Sequence, residues 1–380
     1  MGTTDYFSTW VEVDLNAIEN NVRLIARRSG VQVMAIVKAN AYGHGARAVA
    51  RAALRAGATW LGVARLEEAL ELRRAGLDCP ILLLGYTPLT RFEEAIGQRL
   101  SLTVWNLAQL EAAFSASRRV GEKARLHLKV DTGMGRLGVQ AEDAAAFARQ
   151  MVKFHDLIFE GLFTHLARAD DQIDGPTEKQ MALFSEVLQS LEAAGVALST
   201  TGPLLVHAAN SAASLTRPDA CFNLVRTGIA MYGLHPSAQC FLPAEYRPAL
   251  SWKTVLSQVK TLPAGRGISY GHEYTTAGEE RIGTVPLGYA DGFRRVKGNG
   301  VEYNEVLVNG RRVPVIGRVC MDQLMVQLDA TPQANAGDEV VVIGEQGEEC
   351  IRAEEVARRW ETVNYEVVCG ISSRVPRLYG

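Results

Sequence analysis

The sequence predicts an α/β protein, a (β/α)8 TIM-type barrel over residues 12–244 followed by a mainly antiparallel β domain over 245–380. Three observations carry that reading. Between Val31 and about Gly233, eight short β-rich runs alternate with helical patterns, and each connection is long enough for a crossover, so the strands pair in parallel. Eight is the number that closes a barrel, and about 200–250 residues is its usual size; an open doubly wound sheet is the competing topology. Beyond residue 245, short β-rich runs follow one another with little helix between them, and Asn309-Gly310 sits between two of them as a hairpin signal.

The elements follow in order. The N-terminal run, about 6–14, has no barrel partner and is expected to join the β domain. In the first helix Leu15, Ile18, Val22 and Ile25 recur at three- and four-residue steps and so share one face; Asn16 with Glu19 predicts a capping box, and Gly30 stops the helix. Barrel strands are predicted at Val31–Val37, Trp60–Ala64, Ile81–Gly85, Leu100–Trp105, Arg125–Val130, Ile158–His165, Leu204–Ala208 and Leu224–Tyr232. The helix Leu66–Gly76 places Glu67, Glu68 and Glu71, with Arg73 and Arg74, on a solvated outer face. Asn106 opens another helix, in which Leu107, Leu110 and Phe114 keep helical spacing. The β domain is expected to hold strands at Ser251–Thr261, Arg281–Pro286, Tyr303–Val308, Arg312–Val319, Leu324–Leu328 and Glu339–Ile343, with one late helix around Ala353–Trp360.

Composition removes several function classes. Of the 380 residues, 47% are apolar and 22% charged, which excludes disordered and fibrous chains. Lys plus Arg (40) nearly cancels Asp plus Glu (42), so a chain-wide basic surface for nucleic acid is not expected. The apolar runs, such as Ile81–Leu84, fall far short of the ~18 residues that a membrane span requires. The segment Met1–Tyr6 reads as neither a secretory leader nor a myristoylation signal, and a cytoplasmic location is expected. Six cysteines lie far apart with no CxxC pair and no histidine cluster, so reduced thiols are expected and no metal site.

Barrel enzymes place their reactive groups at the C-terminal ends of the strands. There the sequence offers Lys38 after the first strand, at the start of Lys38-Ala39-Asn40-Ala41-Tyr42-Gly43-His44-Gly45. Desolvation at the mouth would lower the pKa of this amine, as a Schiff-base lysine requires, whereas a lysine that snorkels to solvent is the plainer alternative. The fifth strand ends in Lys129-Val130-Asp131-Thr132-Gly133-Met134-Gly135-Arg136, where Arg136 could grip a carboxylate or phenolate; Lys129 and Asp131 could equally form a structural ion pair. His165 ends the sixth strand, as a ligand, a base or a satisfied core residue. The seventh leads to His207-Ala208-Ala209-Asn210-Ser211 and the eighth carries Arg226-Thr227-Gly228-Ile229. Loops after strands seven and eight are the usual phosphate cradle of this fold, and Ser211, Gly228 and Ile229 fit it. A phosphate site opposite a lysine suggests pyridoxal 5′-phosphate, whose aldehyde condenses with lysine.

At these residues the chain resembles the alanine racemase family. The likeness rests on Val37–Gly45, Asp131–Arg136, Asn210-Ser211 and Arg226–Ile229. It continues through Ile268-Ser269-Tyr270-Gly271, Gly288–Gly292, Arg318–Asp322 and Asn364-Tyr365-Glu366, so it spans essentially the whole chain. The resemblance implies a pyridoxal-phosphate enzyme that interconverts L- and D-alanine by two bases, supplying D-alanine for peptidoglycan. Lys38 would attach the cofactor and transfer one proton; Tyr270, given by the partner subunit of a homodimer, would transfer the other from the opposite face of Cα. His165 would sit between Tyr270 and Arg226, and Arg226 would face the pyridine nitrogen. Tyr42, Asn210, Ser211, Gly228, Ile229 and Tyr365 would complete the cofactor site, most of them around its phosphate. Arg136 and Met321 would hold the substrate carboxylate, and Tyr365 and Met321 would leave room for little more than a methyl group. Lys129, His207, Tyr289, Cys320 and Asp322 would support these residues, Lys129 standing where some relatives carry a carbamylated lysine. A serine or broad-specificity racemase and a pyridoxal-phosphate decarboxylase of the same barrel type are the alternatives; the decarboxylase needs acidic groups for a distal cation, and Arg226 argues against it.

Overall fold

The computed structural model describes residues 7–171, 175–196, 204–295 and 304–380. The chain divides into two compact units, Asn16–Ala41 with Ala46–Arg247, and Met1–Leu15 with Tyr42–Gly45 and Pro248–Gly380. The short stretch Tyr42–Gly45, which the sequence reading placed in the barrel, clusters with the second unit.

The first unit is a near-closed barrel of eight parallel strands. Around it run Leu224–Thr227, Gln32–Ile36, Trp60–Val63, Ile81–Leu83, Ser101–Val104, Ala124–Asp131, Leu157–Phe163 and Leu205–His207. Among the described residues no regular ladder joins the last strand to the first. Asn223 bridges this seam instead: its Nδ2 donates to the Leu204 carbonyl at 2.8 Å and its Oδ1 accepts from Val206 N at 2.8 Å. Arg226 N adds a bond to the Ala209 carbonyl at 3.0 Å. One amide side chain thus supplies the donor and the acceptor that a ladder rung would have used.

The outer helices form where apolar spacing predicts. Helix Leu15–Ser29 buries Ala17, Ile18, Val22 and Ile25, and each large aliphatic chain stabilises the fold by about 1.5–3 kcal/mol. The same face carries Asn21, fully buried, whose amide donates to the Met231 and Arg247 carbonyls and accepts from Arg247 N. The Asn16/Glu19 capping box does not form. Glu19 instead pairs with Arg55 and Arg23, because two guanidinium groups outbid a single exposed backbone N–H. Asn106 does cap its helix, Leu107–Val120, accepting from Gln109 N at 3.0 Å. The predicted strand Leu224–Tyr232 ends at Thr227; past Gly228 the chain enters a 3₁₀ turn, Ile229–Tyr232, that buries Tyr232 and sends its hydroxyl to the Ile36 carbonyl.

The second unit is built on a ten-stranded, mainly antiparallel sheet. Its order is Gln258–Leu262, Glu280–Val285, Leu324–Gln327, Arg311–Ile316, Glu305–Val308, Glu339–Gln346, Leu250–Val255, Thr9–Val13 and Arg377–Tyr379, with Glu349–Ile351 alongside Glu339–Gln346. Thr9–Val13 pairs antiparallel with Leu250–Val255 and parallel with the C-terminal strand. Residue 6 and Tyr303, included in the predicted first strand and in Tyr303–Val308, lie outside the described residues. The predicted run Ser251–Thr261 is two strands, broken at Leu256-Ser257, which lets its second half pair with Glu280–Val285. Asn309 and Gly310, at φ of 50° and 71°, form the two-residue turn that the hairpin signal predicts. Trp252, Phe293 and Trp360 pack in sequence at ring distances of 6.3 and 5.4 Å and centre the core.

The seam makes one quantity measurable. Asn223→Ala leaves Leu204 O and Val206 N without these partners, and should lower stability by about 1–3 kcal/mol, read as a shift in the urea midpoint; an unshifted midpoint would show that the seam closes without it.

Candidate active site

Lys38 follows the first barrel strand, and the backbone after it winds the unusual way. Ala39, Asn40, Ala41 and Tyr42 stand at φ of 51°, 52°, 54° and 52°, a left-handed turn made without glycine. Such a turn costs roughly 1–2 kcal/mol per residue and persists only where neighbours hold it. The holding groups are side chains. Glu68 Oε1 accepts from Ala39 N at 2.6 Å while its Oε2 accepts from Ala64 N and Arg65 N. Asn40 Oδ1 accepts from Ala46 N at 2.8 Å. Glu68, read from sequence as part of a solvated face, is therefore a clamp on the lysine's own loop.

Arg226 organises the other side of the barrel mouth. It is buried, and its guanidinium donates to the carbonyls of His207 (2.8 Å), Thr164 (2.8 Å) and Ala208 (2.9 Å). It also meets His207 Nδ1 at 2.9 Å and His165 Nδ1 at 3.2 Å. Among the described residues no carboxylate pairs with it. Burial, and then Arg136, pull its pKa down to about 9, so it stays charged at neutral pH. Facing a group that only donates, both imidazoles must offer lone pairs at Nδ1. Burial and the charges of Arg226, Arg136, Lys129 and Lys38 hold His165 well below the usual histidine range. Burial, then Arg226 and His127, do the same to His207.

Lys129 is buried, its ammonium 5.5 Å from the centre of the Phe163 ring that Arg226 also overlies at 5.3 Å. Burial and the nearby Arg136 and Arg226 lower its pKa to about 8. Asp131 spends one carboxylate oxygen on the N–H groups of Gly133, Met134 and Gly135, shaping the loop that leads to the exposed Arg136. Ser211 Oγ accepts from Gly228 N at 2.9 Å and Ala230 N at 3.3 Å, leaving its proton as the donor it can offer a ligand. These bonds gather the start of the Ile229–Tyr232 turn beside the start of helix Ser211–Thr216. Asn210 caps that helix at Ala213 N and donates to the Leu166 carbonyl. Thr227 Oγ1 is buried without a hydrogen-bond partner among the described residues. Sequence reasoning missed Gln180, which joins Thr132, the His165 carbonyl and Ala167 N and so fixes the loop after the sixth strand; a glutamine in a surface-patterned helix carries no signal for this.

The second unit carries the remaining predicted residues. Tyr42 is buried against Tyr365 with ring centres 6.0 Å apart, and burial, Tyr365 and Cys369 push its phenol up. Tyr365 sits on a short helix, Asn364–Gly370, that the sequence reading did not foresee. Tyr270, Met321 and Tyr289 are exposed, Tyr270 by 67%. Tyr270 stands in a 3₁₀ turn that borders a cavity of about 620 Å³, together with Lys260, Arg266, Ile268 and Cys320. Ser269 Oγ anchors that turn, donating to the Arg318 carbonyl and lying 3.4 Å from Cys320 Sγ. Tyr289 N and Ala290 N bond to the Cys320 and Met321 carbonyls; this close approach requires Gly288, where a Cβ would lie 2.3 Å from Met321 O. Asp322 pairs with Arg374.

At the barrel mouth, four cations bear on His165, while the nearby Asp131 carboxylate is already engaged with backbone. That surplus, with Ser211 as donor and Lys38 as amine, fits an anionic cofactor of the pyridoxal 5′-phosphate type. Among the described residues no cluster of His, Cys, Asp or Glu is arranged to hold a metal ion, and no helix is long and apolar enough to cross a membrane.

The pH dependence of folding follows from the histidines. The unfolded chain protonates His207 below about pH 6.5 and the folded barrel resists it, so stability should fall as pH drops below that value. The slope from His207 alone is about 1.4 kcal/mol per pH unit, and His165 adds in the same sense. Carboxylates held low, such as Asp131 and Glu160, add their losses only toward about pH 4. Urea titrations between about pH 7 and pH 5 test this, and an unchanged midpoint would contradict it.

Comparison with known proteins gives a consistent result. The family profile "Alanine racemase, N-terminal domain" matches residues 13–236 and "Alanine racemase, C-terminal domain" matches 249–379. An alanine racemase of Symbiobacterium thermophilum is 47% identical over 373 residues, covering 98% of this chain and 97% of its own. The crystal structure of alanine racemase from Streptomyces lavendulae superposes with a TM-score of 0.91 at 41% identity, covering 98% of this chain and 97% of that one. The Bacillus anthracis alanine racemase, solved with bound L-Ala-P, gives 0.89 at 44% identity, with 99% and 95% covered.

Proposed function

The chain belongs to the alanine racemase family, and on that premise we propose that it interconverts L-alanine and D-alanine with pyridoxal 5′-phosphate at the barrel mouth. It is an isomerase. The observation that carries the reading is the cation surplus around a neutral His165 and an Arg226 that no carboxylate pairs among the described residues. When bound, the cofactor supplies an aldehyde for an amine and a ring that weakens the bonds at Cα.

The chain's own residues then divide the work. Lys38 holds the cofactor and moves a proton on one face of Cα, its loop fixed by Glu68. Tyr270, exposed on its own unit, moves the proton on the other face, given by the partner in a homodimer. Arg226 would face the ring nitrogen and, as a group that keeps its proton, would leave that nitrogen unprotonated, which favours return of the proton to Cα. Tyr42, Ser211, Gly228, Ile229 and Tyr365 hold the phosphate, with Asn210 fixing the helix that presents Ser211. Arg136 and Met321 hold the substrate carboxylate, and Tyr289, Cys320 and Asp322 shape the approach to it. The buried amine of Lys129, at about 8, has a neutral fraction that can add to carbon dioxide, and a carbamate there would anchor Arg136. A cytoplasmic enzyme supplying D-alanine to peptidoglycan is the physiological reading.

Purified protein supplied with pyridoxal 5′-phosphate should convert optically pure L-alanine to a mixture of both enantiomers, with serine slower by about 10–200-fold. Lys38→Ala should lose both the visible absorbance and the activity, whereas Tyr270→Phe should keep the absorbance and lose racemisation. L-Alanine left untouched by the loaded protein would refute the reading. Arg226→Glu should slow racemisation and raise formation of the keto acid from alanine, measured as pyruvate; an unchanged ratio would remove Arg226 from its assigned role.

A further inference from the structure

The bonds of Arg226 do not stop at His207. His207 Nε2 lies 3.0 Å from His127 Nδ1, and His127 Nε2 lies 3.2 Å from Glu160 Oε2. Glu160 is held in turn by the Ser101 hydroxyl and by Arg125, at 3.1 Å, whose side chain is about half exposed. Both histidines are fully buried. Neither His127 nor Glu160 is among the residues that the family resemblance assigns to the site.

The direction of this chain is forced. Arg226 can only donate, so His207 Nδ1 is an acceptor and the neutral ring carries its proton on Nε2. That proton points at His127 Nδ1, which must therefore accept, so His127 also carries its proton on Nε2. The last donor needs an acceptor, and the Glu160 carboxylate supplies it. Burial pushes this carboxyl up, but the bond from His127, Ser101 and Arg125 bring it below the usual range. The fold has made room for the arrangement. At Gly161 a Cβ would lie 2.2 Å from His127 Nδ1, and the pairing of the strands Ala124–Asp131 and Leu157–Phe163 slips between Leu126 and His127. Trp60 meets His127 edge-on at 5.5 Å, and Phe163 stacks on His207 at 4.7 Å with planes 7° apart, which fixes both rings.

We propose that His127 and Glu160 are positioning residues that act on Arg226 through His207, as a one-way hydrogen-bond chain that fixes the histidine protons and holds the guanidinium in one orientation. Its effect on turnover rests on the role given to Arg226 above; its proton pattern does not. A chain of neutral rings ending in a carboxylate lets a buried cation be held by lone pairs without placing an anion beside it.

The test is 15N NMR of the histidine-labelled, cofactor-loaded protein, with signals assigned by loss in His127→Phe. The expected spectrum has His127 and His207 each protonated on Nε2 and bare on Nδ1. Glu160→Leu leaves the His127 Nε2 proton without its carboxylate acceptor and should shift and broaden the His127 Nε2 signal with the tautomers unchanged, while kcat falls by about tenfold and KM stays within about twofold. Glu160→Gln, whose carbonyl still accepts, should restore both the spectrum and kcat. A proton on His207 Nδ1 in the unaltered protein, or a doubly protonated His127, would overturn the proposal whether or not the leucine variant folds. So would a folded Glu160→Leu protein with an unshifted His127 Nε2 signal and unchanged kcat. A protein with the expected tautomers but no action on alanine would support the chain and refute the racemase reading, so the two failures are separable.

Discussion

A buried guanidinium with no carboxylate partner among the described residues is the constraint around which the barrel is arranged. Isolated charges avoid low-dielectric interiors unless hydrogen bonds replace the lost water. Arg226 obtains that replacement from three backbone carbonyls and two imidazole lone pairs. The consequences spread outward. Its bonds to the His207 and Ala208 carbonyls cross the seam where the eighth strand meets the seventh, so the residue that charges the mouth also helps close the barrel. Its demand for acceptors keeps His165 and His207 neutral. An anion beside it would have been simpler for stability, but would have cancelled the charge that the site presents.

The same site stores backbone strain. Four left-handed residues after Lys38 oppose the ordinary preference of the chain, and the Glu68 carboxylate, which bonds three N–H groups from two loops, offsets part of that cost. The pattern matches the general tendency of strained segments to gather where geometry matters for chemistry. The start of the Lys38 stem is thus set by a left-handed turn that the Glu68 and Asn40 side chains hold.

Much of this was legible in the sequence, and the boundary is instructive. The alternation of β-rich and helical runs located the parallel strands, because two-residue and 3.6-residue periodicities are local properties. The end-of-strand rule then points to Lys38, Arg136, His165, Ser211 and Arg226, which the fold places at or just after the ends of barrel strands. What escaped were features set by tertiary partners. Glu68 looks like its neighbours Glu67 and Glu71, and only the position of Ala39 N distinguishes it. Glu19 was expected to cap its own helix, but Arg55, thirty-six residues away, takes it. Leu224–Tyr232 reads as one β-rich run, yet Gly228 and the hydroxyl of Ser211 bend it into a turn. The short helix carrying Tyr365 contains Val367-Val368, a pair with strand propensity, so its local signal points the wrong way.

On the proposed function, the proton carriers at the barrel mouth bear on the chemical type of the second base. At the barrel mouth the groups are amines, guanidinium groups and imidazoles held neutral; the nearby carboxylate, Asp131, is occupied by three backbone N–H groups. On the proposed function, such a set offers Lys38 as one proton carrier and leaves the second to a group of another chemical type. The imidazole of His165 cannot serve as a proton store, since four surrounding cations oppose its protonation. A phenol is the complementary group, because positive charge nearby favours its oxyanion without needing an anionic partner. Tyr270 presents one, exposed on a separate unit. On the proposed function, a mouth charged to hold an anionic cofactor would also favour a phenol as the second base.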